Sequence, residues 1–335
     1  MILPPYCEVA AMLFITNRFP TQSIRTRVDR NFTFDLNNNA ASNSVFYCER
    51  QGEEAYREIG SSAFLRRLKE AGVDQVLIYI HGFSNLPEDV FTAVREFQGL
   101  CDATEPGEVL VVPLVWPCDN DLGVVKDYWD DQESADLSGF SFARVLQRFL
   151  DWRENEQFTH DPTPCLKRIN VLAHSMGNRV LRETLRVWRK YSLPGGVPLL
   201  FRNTFLIAAD IVNESLEAGH SGEPIVHSSR NVTVYFASDD LALRASKASN
   251  LKNRIASRRL GHSGPEDMTR VARNVFAVDC DDVNTRYDFP KGHSYFRSGI
   301  VPGEPGVVFQ HLFVALQSGR VFPEDESRRM TILRD

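Results

Sequence analysis

The chain has 335 residues, of which 43% are apolar and 24% charged, and its formal net charge is -6. These values match soluble globular chains, exclude collagen-like and disordered compositions, and lack the basic excess of a nucleic-acid binder. At roughly 100–200 residues per domain, one large domain or two small ones would fit, and a single domain over residues 1–335 is expected.

In chain order, the segment Met1 to Glu8 lacks a basic region, and Glu8 interrupts its apolar stretch, so no secretory signal is read there. Ala11–Thr16 and Ser44–Cys48 read as two early strands with an Asn-rich stretch between them. Val76–Ile80 is a continuous apolar run that ends at His81-Gly82. Pro87 suits the first turn of a helix, and Val90, Phe91, Val94, Phe97 and Leu100 then make one apolar stripe. Val109–Trp116 is a further strand, weakened at its centre by Pro113. Phe140, Val145, Leu146, Phe149 and Leu150 form a second helical stripe. Ile169–Ala173 is a strand, and the helix after it carries Val180, Leu181, Leu185, Trp188 and Tyr191. Thr204–Ala209, Val232–Ala237 and Val275–Val278 complete the strands, and Val307–Gln317 is the last helix.

Short, continuously apolar runs alternating with helices predict an α/β fold with a doubly wound, mostly parallel sheet and helices on both faces. Ligands in such sheets bind beyond the carboxyl ends of the strands, so the residues just after each strand carry the information. Two segments look inserted there as cap or lid. Asp119–Gly139 is acidic, and Leu241–Arg273 is basic, with eight lysines and arginines against Glu266 and Asp267.

Ile169 to Asn178 reads strand, Ala173-His174-Ser175-Met176-Gly177, then helix. This is the pattern of a nucleophile elbow, in which a strained serine sits between strand and helix and its neighbours two positions away must be small. Gly177 meets that need, and Ala173 stands where glycine is usual. The plainer reading of Ser175 is an ordinary helix N-cap. One oxyanion N–H is expected from Met176, the residue after the nucleophile, and a second from Phe83, beyond His81-Gly82 at the end of an early strand. His81 itself reads as a packed residue that orients the loop.

Triad order in elbow enzymes is serine, acid, histidine. Of His220, His227, His262, His293 and His311, His293 lies in a turn-rich loop after the Val275–Val278 strand and is the candidate base. The acid is expected after the Val232–Ala237 strand. Asp240 is the first candidate and Asp239 its near rival, while Asp210, one strand earlier, is a third. Serine is a weak nucleophile until a histidine takes its proton, and a buried carboxylate fixes that histidine's tautomer. No metal or cofactor is expected: Asp279–Asn284 lacks the glycine and glutamate of a calcium loop, and no P-loop or dinucleotide fingerprint occurs. Cys7, Cys48, Cys101, Cys118, Cys165 and Cys280 are scattered, with no C-x-x-C pair. With no apolar run of about 18 residues, they suggest a reduced cytoplasmic protein without a membrane span.

Thr16-Asn17-Arg18, Tyr79 to Phe83, Trp116-Pro117, Ala173 to Val180, Ser238 to Leu243 and Gly292 to Tyr295 occur in this order. On these segments the chain, from about Phe14 to Phe296, resembles a mainly bacterial α/β-hydrolase family catalogued as a domain of unknown function. The resemblance implies the triad Ser175–Asp240–His293, with the acid in the Ser238–Leu243 stretch, and it carries no substrate. Leu241–Arg273 and the tail after Pro302 depart from the family pattern. The function expected is a serine hydrolase for a small-molecule ester or related acyl substrate, with no nucleic-acid partner. The alternative is a binding or scaffolding protein on the same fold with a weak or vestigial site. The basic segment would attract an acidic substrate, or else form an ordinary solvated loop.

Overall fold

The computed structural model describes residues 11–119, 124–154, 165–192, 195–244 and 258–335. The chain begins with β1 (Met12–Thr16), β2 (Arg30–Phe32), β3 (Phe46–Gly52), β4 (Ala55–Glu58) and α1 (Gly60–Glu70). It continues with β5 (Gln75–Ile80), α2 (Pro87–Thr104), β6 (Val109–Val115), α3 (Val124–Glu154), β7 (Arg168–His174) and α4 (Gly177–Tyr191). There follow β8 (Phe201–Ile207), α5 (Glu223–Ser228), β9 (Ser229–Phe236), β10 (Val275–Asp279), a last helix (Val307–Ser318) and β11 (Met330–Ile332).

The strands make one sheet in the order β11-β10-β9-β8-β7-β5-β6-β1-β3-β4-β2. Every neighbouring pair from β11 to β1 is parallel. The remaining pairs, β1–β3, β3–β4 and β4–β2, are antiparallel. The chain steps from β5 to β6 on one side, then returns past β5 to β7 on the other. That reversal puts the ligand crevice at the carboxyl ends of β5 and β7. Pro113 sits inside β6, where a missing N–H should be costly. It is tolerated because β1 joins β6 only at Leu114 and Val115, beyond the proline.

The apolar runs are continuous because the central strands are buried on both faces. Val76 and Ile80 of β5 enter one core with Phe64 of α1, Phe142 of α3 and Trp188 of α4. Leu77 and Tyr79 enter the other with Phe91 and Phe97 of α2 and Phe309 of the last helix. Each fully buried Val, Leu or Phe side chain contributes about 1.5–3 kcal/mol.

Helix α3 is bound along two lines. Phe142, Val145, Leu146 and Phe149 pack into the first core. Asp131, Ser134, Ser138 and Ser141, spaced three, four and three residues apart, are also buried and therefore share one face. Asn39 Nδ2 donates to Asp131 (2.7 Å), Ser134 donates to the Asn39 carbonyl, Asn17 Nδ2 donates to Ser138 (2.9 Å), and Ser141 donates to the Ser42 carbonyl (2.7 Å). The described part of Asp119–Gly139 from Val124 onward is thus the first half of α3. Among the described residues, no helix is long and apolar enough to cross a membrane.

Candidate active site

The turn from β7 to α4 holds Ser175 at φ +53°, a left-handed conformation for a residue with a side chain. Such backbone costs of order 1–3 kcal/mol and persists only where neighbours impose it. Here the Ser175 N–H donates to the Ile207 carbonyl (3.0 Å), and the Ser175 carbonyl accepts from Asn178 N (3.1 Å) and Asp210 N (3.2 Å). The buried Asn178 amide also donates to the carbonyls of Ala173 (2.9 Å) and Ser175 (3.0 Å). A Cβ on Gly177 would overlap the carbonyl oxygens of Ile80 and His81, so only glycine fits where strand and helix meet. Ala173 is fully buried between β5 and β8, where its methyl group is accommodated.

His293 lies on the loop after β10. Its Nδ1–H donates to Asp240 Oδ2 at 2.6 Å, and Asp240 has no solvent exposure. The other Asp240 oxygen accepts the Leu243 N–H (2.9 Å). Asp288 holds the histidine loop by accepting both His293 N (2.8 Å) and Ser294 N (2.7 Å). With Nδ1 engaged, Nε2 is the ring nitrogen left for chemistry. His293 and Ser175 line the same cavity of about 850 Å³, together with Gly82, Phe83, Tyr128 and Asp210.

The other candidate acids go elsewhere. Asp239 accepts from Asn284 Nδ2 (2.5 Å), whereas the carboxylate bonded to His293 is that of Asp240. Asp210 borders the cavity, but its carboxylate takes the Tyr128 hydroxyl (2.7 Å) and pairs with Arg259 (3.1 Å). The Arg259 N–H points past the oxygen, so that contact is an ion pair without a well-aligned hydrogen bond. Among the other histidines, His227 sits beside Glu223 (3.3 Å) on an exposed face. His311 contacts the Tyr235 hydroxyl (2.9 Å) from the last helix, and burial pushes it down to about 4. His220 and His262 do not line the cavity.

The loop after β5 brings the second oxyanion candidate against the serine. A Cβ on Gly82 would lie 2.9 Å from Ser175 Cβ, so the loop backbone and Ser175 are in close approach. Phe83 follows, its ring edge-on to Tyr128 at 5.7 Å. Met176, directly after Ser175, is the N-cap of α4. His81 lies beneath this loop, stacked on Trp116 at 5.1 Å. Its Nε2 accepts the Trp116 N–H (3.1 Å), so Nδ1 carries the proton and donates to the Gly82 carbonyl (2.9 Å). Burial pushes its pKa down to about 4.

Three residues near the site had no role in the sequence reading. His174 Nε2 donates to the His293 carbonyl (3.1 Å), and burial, then the neighbouring His293, holds its pKa well below the usual histidine range. Tyr128 stands between Asp210 and Phe83. Asp131, on α3, accepts the Ser84 N–H (3.1 Å), and burial pushes its carboxyl up to about 6. A helical run of acids gave no sign of which member turns inward. In the basic segment, Arg259 meets Asp210, Arg270 meets Glu217 (2.7 Å), and Arg244 donates to the Ser238 carbonyl (3.0 Å). Positions 245–257 lie outside the described residues. Among the described residues, no group of three or more His, Cys, Asp or Glu is placed to hold a metal ion.

Residues 58–299 match the model of a family described as "Alpha/beta hydrolase of unknown function (DUF900)". Among solved structures, a lipase-esterase related protein from Clostridium acetobutylicum is 11% identical, with 80% of this chain and 87% of that one covered and a TM-score of 0.25. An endo-beta-N-acetylglucosaminidase from Cordyceps militaris is also 11% identical, covering 69% and 78%, with a TM-score of 0.19. No curated protein matches the chain.

Proposed function

Because the chain belongs to this α/β-hydrolase family of unknown function, we propose that it is a serine hydrolase acting on an ester or related acyl substrate through Ser175, His293 and Asp240. One observation carries the reading. His293, paired to the buried Asp240 at 2.6 Å, borders the same cavity as a serine held at φ +53° on a strand-to-helix turn.

In this reading His293 Nε2 takes the Ser175 proton as Oγ attacks the acyl carbon. The tetrahedral oxyanion is met by the N–H groups of Met176 and Phe83. Losing one such donor costs about 10²–10³ in rate in comparable sites. Collapse of the intermediate breaks the bond to the leaving alcohol, which takes the proton back from His293. Water, deprotonated by the same histidine, then attacks the acyl-enzyme, and the acid leaves with Ser175 restored. Asp240, buried and bonded to Nδ1, keeps the proton on that nitrogen and stabilises the imidazolium formed at each attack.

The chain is read as one α/β-hydrolase domain, with the segments 119–139 and 241–273 as its cap. Tyr128 from the first and Leu241, Ala242 and Leu243 from the second line the cavity, which supports that assignment. Treating the purified protein and its Ser175→Ala variant with a fluorophosphonate probe, and mapping the adduct by mass spectrometry, tests the reading. Labelling at Ser175 that vanishes in the variant is expected. A folded protein that never labels would remove the reading and favour a binding protein on a hydrolase fold.

A further inference from the structure

The Gly82–Asn85 loop lies against Ser175 and is held both from within and from α3. Ser84 is in the left-handed region at φ +57°. Asn85 Nδ2 holds two of the loop's carbonyls, those of Gly82 (3.0 Å) and Phe83 (2.7 Å). The N–H side of the loop is held from α3. Asp131 Oδ2 accepts the Ser84 N–H (3.1 Å), and Oδ1 accepts Asp119 N (3.2 Å) and Asn39 Nδ2 (2.7 Å). One buried carboxylate therefore ties the loop after β5 to the loop after β6 and to the segment between β2 and β3. These three partners are N–H donors, and the Cys118 thiol donates to Asp131 as well. A carboxylate has about four acceptor positions and no donor, whereas an asparagine amide would turn an NH2 group toward at least one of them.

We propose that Asp131 is a positioning residue for the oxyanion site: by holding the Ser84 N–H it fixes the Gly82–Phe83 backbone against Ser175. The inference rests on the serine-hydrolase reading above. Asp131 touches no substrate. It acts only through the loop, so its loss costs transition-state stabilisation and leaves ground-state binding nearly intact.

The test compares the wild type, Asp131→Asn, Asn39→Ala and Ser138→Ala. Hydrolysis of p-nitrophenyl acetate, inhibition by phenylboronic acid and the melting temperature are measured for each. The boronate adduct of a serine places an oxygen where the oxyanion forms, so its affinity includes the contribution of that site. In Asp131→Asn, kcat should fall about 10–100-fold with KM within about threefold, and the boronate inhibition constant should rise in parallel; the range is below the loss of a whole donor. Ser138→Ala breaks a bond of the same buried face without touching the loop, and should lower the melting temperature while keeping kcat and boronate affinity. Unchanged kcat and boronate affinity in Asp131→Asn would overturn the inference. If that variant does not fold, Asn39→Ala decides. Stripping one partner from the carboxylate should shift both quantities about threefold in the same direction, and no shift overturns the inference. A wild type that neither turns over ester nor labels at Ser175 removes the reading and the inference together. A wild type that labels, with Asp131→Asn equal to it, removes the inference alone.

Discussion

Two histidines sit just after strands of the same sheet, His81 beyond β5 and His293 in the loop that follows β10, and their surroundings give them opposite capacities. His81 is buried, stacked on Trp116, and has both nitrogens committed to backbone groups. A carbonyl acceptor on one nitrogen and an N–H donor on the other fit only the neutral ring, and burial holds it neutral down to about pH 4. His293 gives one nitrogen to a carboxylate and lines the cavity. A carboxylate on Nδ1 favours the imidazolium, which a general base must become. Position after a strand therefore does not set what a histidine can do; the chemical type of its partners does.

That contrast can be attacked from several directions. The largest effect is expected from Asp240→Asn, which would present the wrong tautomer and lower kcat by about 10⁴ in ester assays, as in comparable triads. A loss under tenfold would mean that His293 does not depend on this carboxylate. Exchanging the targets should separate the two roles. His293→Ala is expected to abolish turnover and shift urea-unfolding stability by less than about 1 kcal/mol. His81→Ala should cost about 3 kcal/mol, because it opens a cavity and strands the Trp116 N–H. Similar stability losses in both would erase the distinction. A pH series sharpens it further. The His81 pKa is depressed from 6.5 to about 4 in the folded state. Its contribution is therefore present above pH 6.5 and lost as pH falls toward 4, by on the order of 2 kcal/mol between pH 7.5 and 5. His81→Gln should lose less over the same range, and identical slopes would assign the effect to other groups. The smallest effect is predicted for Asp239→Asn, whose carboxylate faces Asn284: kcat should stay within about threefold of the wild type.

Much of the architecture was legible in the sequence because the central strands are buried on both faces. Their apolar runs, Val76–Ile80 unbroken and Ile169–Ala173 interrupted only by Asn170, fit strands of a parallel sheet. The edge elements were not. β2, β4 and β11 have exposed faces and mixed residues, and α1 buries only Phe64, Leu65 and Leu68 on an otherwise polar segment. In the site, the elbow was legible because strand, serine, small residue and helix are contiguous. Adjacent Asp239 and Asp240 could not be separated by spacing alone, since the turn after β9 sends one toward Asn284 and the other toward His293. Asp131 was invisible for a different reason: its partners lie 92, 47 and 12 residues away.

The two lines of contact along α3 also restrict how that helix can move. An amphipathic helix on an apolar surface can slide or rotate a little at small cost, because one oily contact replaces another. α3 has no such freedom. Sliding by one residue, 1.5 Å of rise and about 100° of turn, would carry Phe142 and Phe149 out of their core. It would also pull Ser134, Ser138 and Ser141 off the carbonyl and amide groups that meet them. The helix works as a notched bar, fixed along its length and about its axis. Tyr128 and Asp131 are carried on that bar, and the backbone beside Ser175 takes its alignment from it.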